Sequence, residues 1–138
     1  MSNLKLPNLS YAALDAALPA RSTETPRGAG RSHTIGYKTT AYRFQNEICI
    51  QHHGTTIAVL ADTGSVYITN DGYSSSTTRA RLHSILTDNR IRFSLGQRDF
   101  VQVLTNRDDN SDTYRGFVSA YFSPAGDLLA FNGQGLAA

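Results

Sequence analysis

A chain of 138 residues, 40% of them hydrophobic, can hide roughly two-thirds of its unfolded surface in one domain without covalent staples. Its single cysteine excludes an internal disulfide and a multi-cysteine metal centre, which fits a reducing cytoplasm. The net charge of +2 is too small to argue for nucleic acid, although eleven of the thirteen basic residues are arginine, the side chain suited to forked contacts with phosphate or carboxylate.

In chain order, Met1–Ser10 carries no apolar run of signal-peptide length, and no stretch approaches the length that crosses a bilayer, so a cytoplasmic protein without a membrane partner is expected. Ser10 can cap a short helix with Tyr11, Leu14 and Leu18 on one edge and Pro19 at its end, so residues 1–19 read as a short N-terminal helix that docks on the domain or on a partner. Residues 20–34 read as a flexible Arg/Gly/Pro-containing linker bearing Arg21, Arg27 and Arg31. The body of the domain is expected over residues 35–133, with 134–138 a frayed tail.

Tyr37–Gln45 alternates, with Tyr42 and Phe44 on one side and Ala41 and Arg43 on the other, and is expected to pair with the apolar run Ile48–Ile50. His52-His53-Gly54-Thr55 reads as a turn before Ile57–Leu60, and Asp62-Thr63-Gly64-Ser65 as a hairpin connection to Val66–Ile68. Asn70-Asp71-Gly72 breaks the sheet. Ser76 or Thr77 can then cap a helix over residues 77–86, with Thr78, Leu82, Ile85 and Leu86 on its buried face and Arg79, Arg81 and His83 off it. Arg90–Leu95 alternates strictly, Ile91, Phe93 and Leu95 inward. Gly96-Gln97-Arg98-Asp99 reads as a turn into a strand, Phe100–Leu104, that buries Phe100, Val101 and Val103. Asn106–Asp112 is a polar loop, and Gly116–Phe122 and Leu128–Phe131 close as a hairpin about Pro124–Asp127. The predicted fold is α+β: a curved antiparallel sheet of about six to eight short strands, one packed helix over residues 77–86, and a short N-terminal helix.

The run Gly64-Ser65-Val66-Tyr67-Ile68, then Gly72-Tyr73, then Thr77-Thr78-Arg79-Ala80-Arg81-Leu82, ending at Leu86, resembles a pattern common in small proteins of bacteriophages and plasmids. In these a glycine turn leads into a strand, then a Gly-aromatic pair, then a Thr-Thr-basic helix start followed by an Arg-aliphatic pair. Tyr73 stands where tryptophan is usual and His83 where asparagine is usual. The resemblance covers Ile48 to Val103 and implies a mobile-element origin without implying a reaction.

No complete catalytic, metal or nucleotide-binding constellation is present. Asp62-Thr63-Gly64 matches the signature of aspartic proteases, which need two aspartates sharing a proton, so this chain could supply them only as a homodimer. The same residues fit a hairpin turn, and Ala61 stands where those enzymes carry a large apolar residue. Cys49 between two isoleucines reads as a buried side chain, and adjacent His52 and His53 cannot both ligate one ion without a turn between them. No metal or cofactor is therefore expected. Arg79, Arg81, Arg90, Arg92 and Arg98, with Tyr73 to stack, make the candidate binding surface, against the alternative of an ordinary surface neutralised by Asp88, Asp99, Asp108 and Asp109.

The functional expectation is a non-enzymatic phage- or plasmid-type accessory protein that binds a host protein complex, an inhibitor of a defence system such as a CRISPR effector being its concrete form. The alternative is a nucleic-acid-binding module using the arginine-rich face. A symmetric homodimer through a sheet edge is compatible with either.

Overall fold

Alternating apolar residues with tight two-residue turns between them dictate a meander, and this is what the computed structural model shows across the residues it describes, 8–18, 33–36, 38–71 and 75–136. Strands β1 (His33–Gly36), β2 (Thr39–Phe44), β3 (Glu47–His52), β4 (Thr55–Ala61) and β5 (Val66–Thr69) follow one another as antiparallel neighbours. The chain then leaves the sheet through helix α2 (Ser76–Asp88) and a separate three-stranded sheet, β6 (Phe93–Arg98), β7 (Val101–Asn106) and β8 (Thr113–Arg115). It returns as β9 (Ser119–Phe122) alongside β5, and β10 (Leu128–Phe131) and β11 (Gln134–Gly135) complete an eight-stranded sheet in the order β1-β2-β3-β4-β5-β9-β10-β11. The predicted α+β class, antiparallel sheet and packed helix are all present. His33 and Thr34 belong to β1, Gln134 and Gly135 to β11, and the rest of the expected linker and Tyr37 lie outside the described residues.

The inner face of the large sheet consists of two transverse rows: Ile48, Leu60, Val66 and Phe122, and Ala41, Ile50, Ala58, Ile68 and Ala120. Every one of these is buried. Helix α2 covers this face with Leu82, Ile85 and Leu86, none of which retains exposure, and packs against both β4 and β6. Its cap is Ser75, one residue before the expected position, whose Oγ accepts from Thr78 N at 3.1 Å.

The short helix α1 (Tyr11–Ala17), capped by Ser10, docks on the domain through Leu9, Leu14 and Leu18. The end of α2 holds it there. Asp88 Oδ2 accepts from Leu9 N at 2.7 Å, Asn89 Oδ1 accepts from Tyr11 N at 3.1 Å, and Asn89 Nδ2 donates to Leu9 O at 3.1 Å. Arg43 on β2 pairs with Asp15 from the sheet side. An aromatic chain joins the small sheet to the large one, with ring centroids 5.5 Å apart for Phe93 and Phe122 and 5.3 Å for Tyr114 and Phe131. Gly126 touches the segment after α2: a Cβ there would lie 3.3 Å from Arg90 O, and its φ of +91° suits glycine.

The expected burial of Phe100 is overturned. Arg98 pairs directly with Val101, so β6 and β7 are joined by only Asp99 and Phe100, both at positive φ (51° and 64°), the primed geometry that matches strand twist. The aromatic ring therefore stands outside the sheet, 94% exposed. Replacing Phe100 by glycine, which creates the favoured Asp-Gly turn, should raise stability by about 1 kcal/mol by removing left-handed strain. Urea unfolding checks this; a loss of stability would show that the ring contributes packing.

Candidate functional site

The described buried polar residues, Thr39, His52, Asn70, Thr78, Arg81 and Gln102, are drawn from strands at opposite ends of the sequence and from α2. Arg81 is 4% exposed, which corrects its placement on a cationic surface. It follows Thr78 by three residues and precedes Ile85 by four, so the helical period carries it onto the same stripe as Leu82. Its guanidinium is accommodated there because Nε donates to Thr39 Oγ1 at 3.1 Å, and Thr39 Oγ1 in turn lies 3.0 Å from His52 Nδ1. A second buried contact runs from Asn70 Nδ2 to Gln102 Oε1 at 2.8 Å and to Phe117 O at 3.0 Å. His52 Nε2 and Gln102 Nε2 are buried and have no hydrogen-bond partner among the described residues.

Of the buried polar residues, His52, Asn70 and Thr78 line a cavity of about 360 Å³. Its walls are His52, His53 and Thr55 from the β3–β4 turn, Asn70 after β5, and Ser75 and Thr78 at the start of α2, with Ile57 supplying an apolar patch. His53 sits in the turn at φ 53°, its ring centroid 4.3 Å from that of His52. Among the described residues no group of three metal-ligating side chains comes together.

The remaining candidate arginines fall at two places. Arg79 Nη1 donates to Gln97 Oε1, which places it beside the end of β6 where Arg98 is exposed. Arg90 and Arg92 lie past the other end of α2, and the helix runs about 14 Å from Arg79 to its last residue, Asp88, at 1.5 Å per residue. Arg92 faces Asp108 at 3.5 Å and Asp127 at 3.4 Å in solvent-exposed pairs. The helix thus separates the five arginines instead of assembling them, and Tyr73 lies outside the described residues. Asp62, Thr63 and Gly64 form the exposed turn between β4 and β5, with Gly64 at φ 101°. Cys49 is buried, as its neighbours suggested.

The outward face of the large sheet holds what the residue-by-residue reading missed. Strand register places Tyr42, Cys49, Val59, Tyr67, Tyr121 and Ala130 directly opposite one another across six strands. Tyr67 and Tyr121 form the exposed centre, 37% and 40% exposed, with exposed Val118 and Leu129 nearby in the chain. No charged residue occurs in the row. Their alignment depends on β5 pairing with β9, a contact between distant parts of the chain.

Burial pushes the His52 imidazole below its ordinary value of 6.5, helped by His53 and the Arg81 charge; burial and Arg107 lower His83 likewise. Both groups take up protons more readily unfolded than folded. Their contribution to stability is therefore present above pH 6.5 and lost as pH falls through the unfolded value toward the lower folded ones. Urea unfolding at pH 7.5 and 5.5 should show lower stability at the acid pH, and His52→Gln should shrink that difference. An unchanged difference would assign it elsewhere.

Comparison with known families finds a match to the model described as Kyanoviridae Gp96 protein, which aligns with residues 30–123, from before β1 through β9. No curated protein and no solved structure matches the chain.

Proposed function

We propose, from the premise that the chain belongs to the Kyanoviridae Gp96 family of phage proteins, that it is a non-enzymatic accessory protein that acts by covering a surface on a host protein complex. Inhibition of a host defence system, such as a CRISPR effector, is the concrete form of this reading. The observation that supports it is the uncharged transverse row centred on Tyr67 and Tyr121. Tyrosine combines large apolar area with a polar tip and few rotatable bonds, which makes it a frequent anchor in protein interfaces. Its backbone is held by the sheet, so little conformational freedom is lost on docking.

The arrangement favours a protein partner over nucleic acid. A phosphate backbone would need a continuous cationic track, whereas Arg79 and Arg98 stand at one end of α2, Arg90 and Arg92 at the other, and Arg92 faces two carboxylates.

A pull-down of the tagged protein from host lysate, run with and without nuclease and repeated at high salt, tests the reading. One host protein complex should survive both treatments, and Tyr67→Asp combined with Tyr121→Asp should reduce its recovery by roughly tenfold or more, because truncated interface anchors commonly cost 2 kcal/mol or more. The two positions pair directly across β5 and β9, so the paired aspartates should lower the melting temperature by repulsion, and recovery is compared with that of Tyr67→Thr combined with Tyr121→Thr, which removes the rings without adding charge. Recovery lost on nuclease or salt treatment, or undiminished in the double variant, rejects the proposal.

A further inference from the structure

Among the described residues Phe100 is the large apolar side chain that stands almost wholly in water, 94% exposed where the next, Val118, is 44%. Its backbone lies in the left-handed region at φ 64°, directly after Asp99 at 51°, where glycine would be the cheaper residue. The ring therefore costs the monomer stability and receives no packing in return. A rigid aromatic held out on a two-residue hairpin has the form of an interface anchor, since few rotatable bonds are frozen when it is covered.

A hole that fits this knob lies at the same end of the molecule. Gln102, two residues after Phe100, accepts through Oε1 from Asn70 Nδ2 at 2.8 Å, and Asn70 lines the cavity of about 360 Å³. On the opposing strand Gln97 accepts from Arg79, the residue after Thr78, and Thr78 lines the same cavity. Register runs without a break to the Arg98–Val101 pair, and the ring stays in solvent instead of entering the cavity of its own chain. An apolar cavity of about 150 Å³ already holds a benzene ring, and the described walls here include Ile57, the His53 ring, Thr55 and Thr78. The charges also match. Arg98 and Asp99 precede the ring, while His53 shares a neighbouring depression with Lys38, and Asp71 follows Asn70. Insertion brings a guanidinium and a carboxylate to a rim that carries both signs.

We infer that the chain pairs with a second copy of itself by reciprocal insertion, Phe100 of each copy entering the cavity of the other about a two-fold axis. Knob and hole belong to one molecule and stand at one end of it, which is what an isologous contact requires. Neither uses the Tyr67–Tyr121 row, so this pairing goes beyond the proposed host contact, and either can fail without the other.

Sedimentation equilibrium of the full chain, across the micromolar range up to roughly 1 mM, tests the pairing. A monomer–dimer equilibrium is expected. Phe100→Gly should weaken it at least about a hundredfold, tenfold or more for each of the two equivalent anchors, while its monomer melts no lower than the wild-type monomer. Thr55→Trp, which places a bulky ring on the cavity wall from a half-buried position on β4, should weaken it equally. The deciding arm is their mixture. Phe100→Gly keeps the hole and Thr55→Trp keeps the knob, so the mixed dimer recovers one insertion and should form at least about tenfold more tightly than either variant pairs with itself. Should Thr55→Trp unfold the chain, Phe100→Gly decides alone, its fold verified by its melting curve. A wild-type chain that stays monomeric throughout, a Phe100→Gly chain that dimerises as the wild type does, or a mixture no tighter than its components overturns the inference.

Discussion

The burial of α2 against the inner face of the large sheet is the interaction on which the rest of the molecule depends. Leu82, Ile85 and Leu86 are fully covered, each worth roughly 1.5–3 kcal/mol of apolar transfer, and they share the core beneath them with residues of α1 and the small sheet. The position of α1 follows from it, because Asp88 and Asn89 at the end of α2 bind the backbone before and at the start of α1. So does the small sheet, whose Phe93, Leu95 and Leu104 join the same core. A single helix thus sets the spacing of three otherwise separate elements.

Much of this was legible because local chemistry and global fold agree. The alternation that becomes β2, the Gly64 turn and the face Thr78, Leu82, Ile85 and Leu86 each called for the structure they adopt. Where residue type and geometry disagreed, geometry prevailed. Phe100 argued for burial by its side chain, but a two-residue turn turned it outward. Arg81 argued for the surface by its charge, but its spacing belongs to the buried stripe, and the hydroxyl that accepts from it, Thr39, is 42 residues away. Spacing was the available signal; the acceptor was not visible until the chain had folded.

The tyrosine row and the cavity were illegible for a related reason. A row of side chains across six strands is a property of register, and register between β5 and β9 is fixed only when residues 70–118 have been placed elsewhere. The cavity at the helix start likewise joins a turn, a strand end and a cap that no local pattern connects. Family membership supplies a phage context, and the uncharged tyrosine row is the surface on which the proposed partner would sit.

The interruption of the large sheet also governs how the chain can fold. Thr69 and Ser119 are paired neighbours separated by 50 positions, so the β5–β9 ladder must close a long loop, at an entropic cost that grows only slowly with length. The strands β2 to β5 need no such closure and can assemble by successive hairpins. The inserted helix and small sheet then serve as a tether: once α2 has docked on the hairpins, the free loop is shortened and β9 is delivered beside β5. A nucleus built on the apolar contacts of α2 would leave the Tyr67–Tyr121 face to form late in folding.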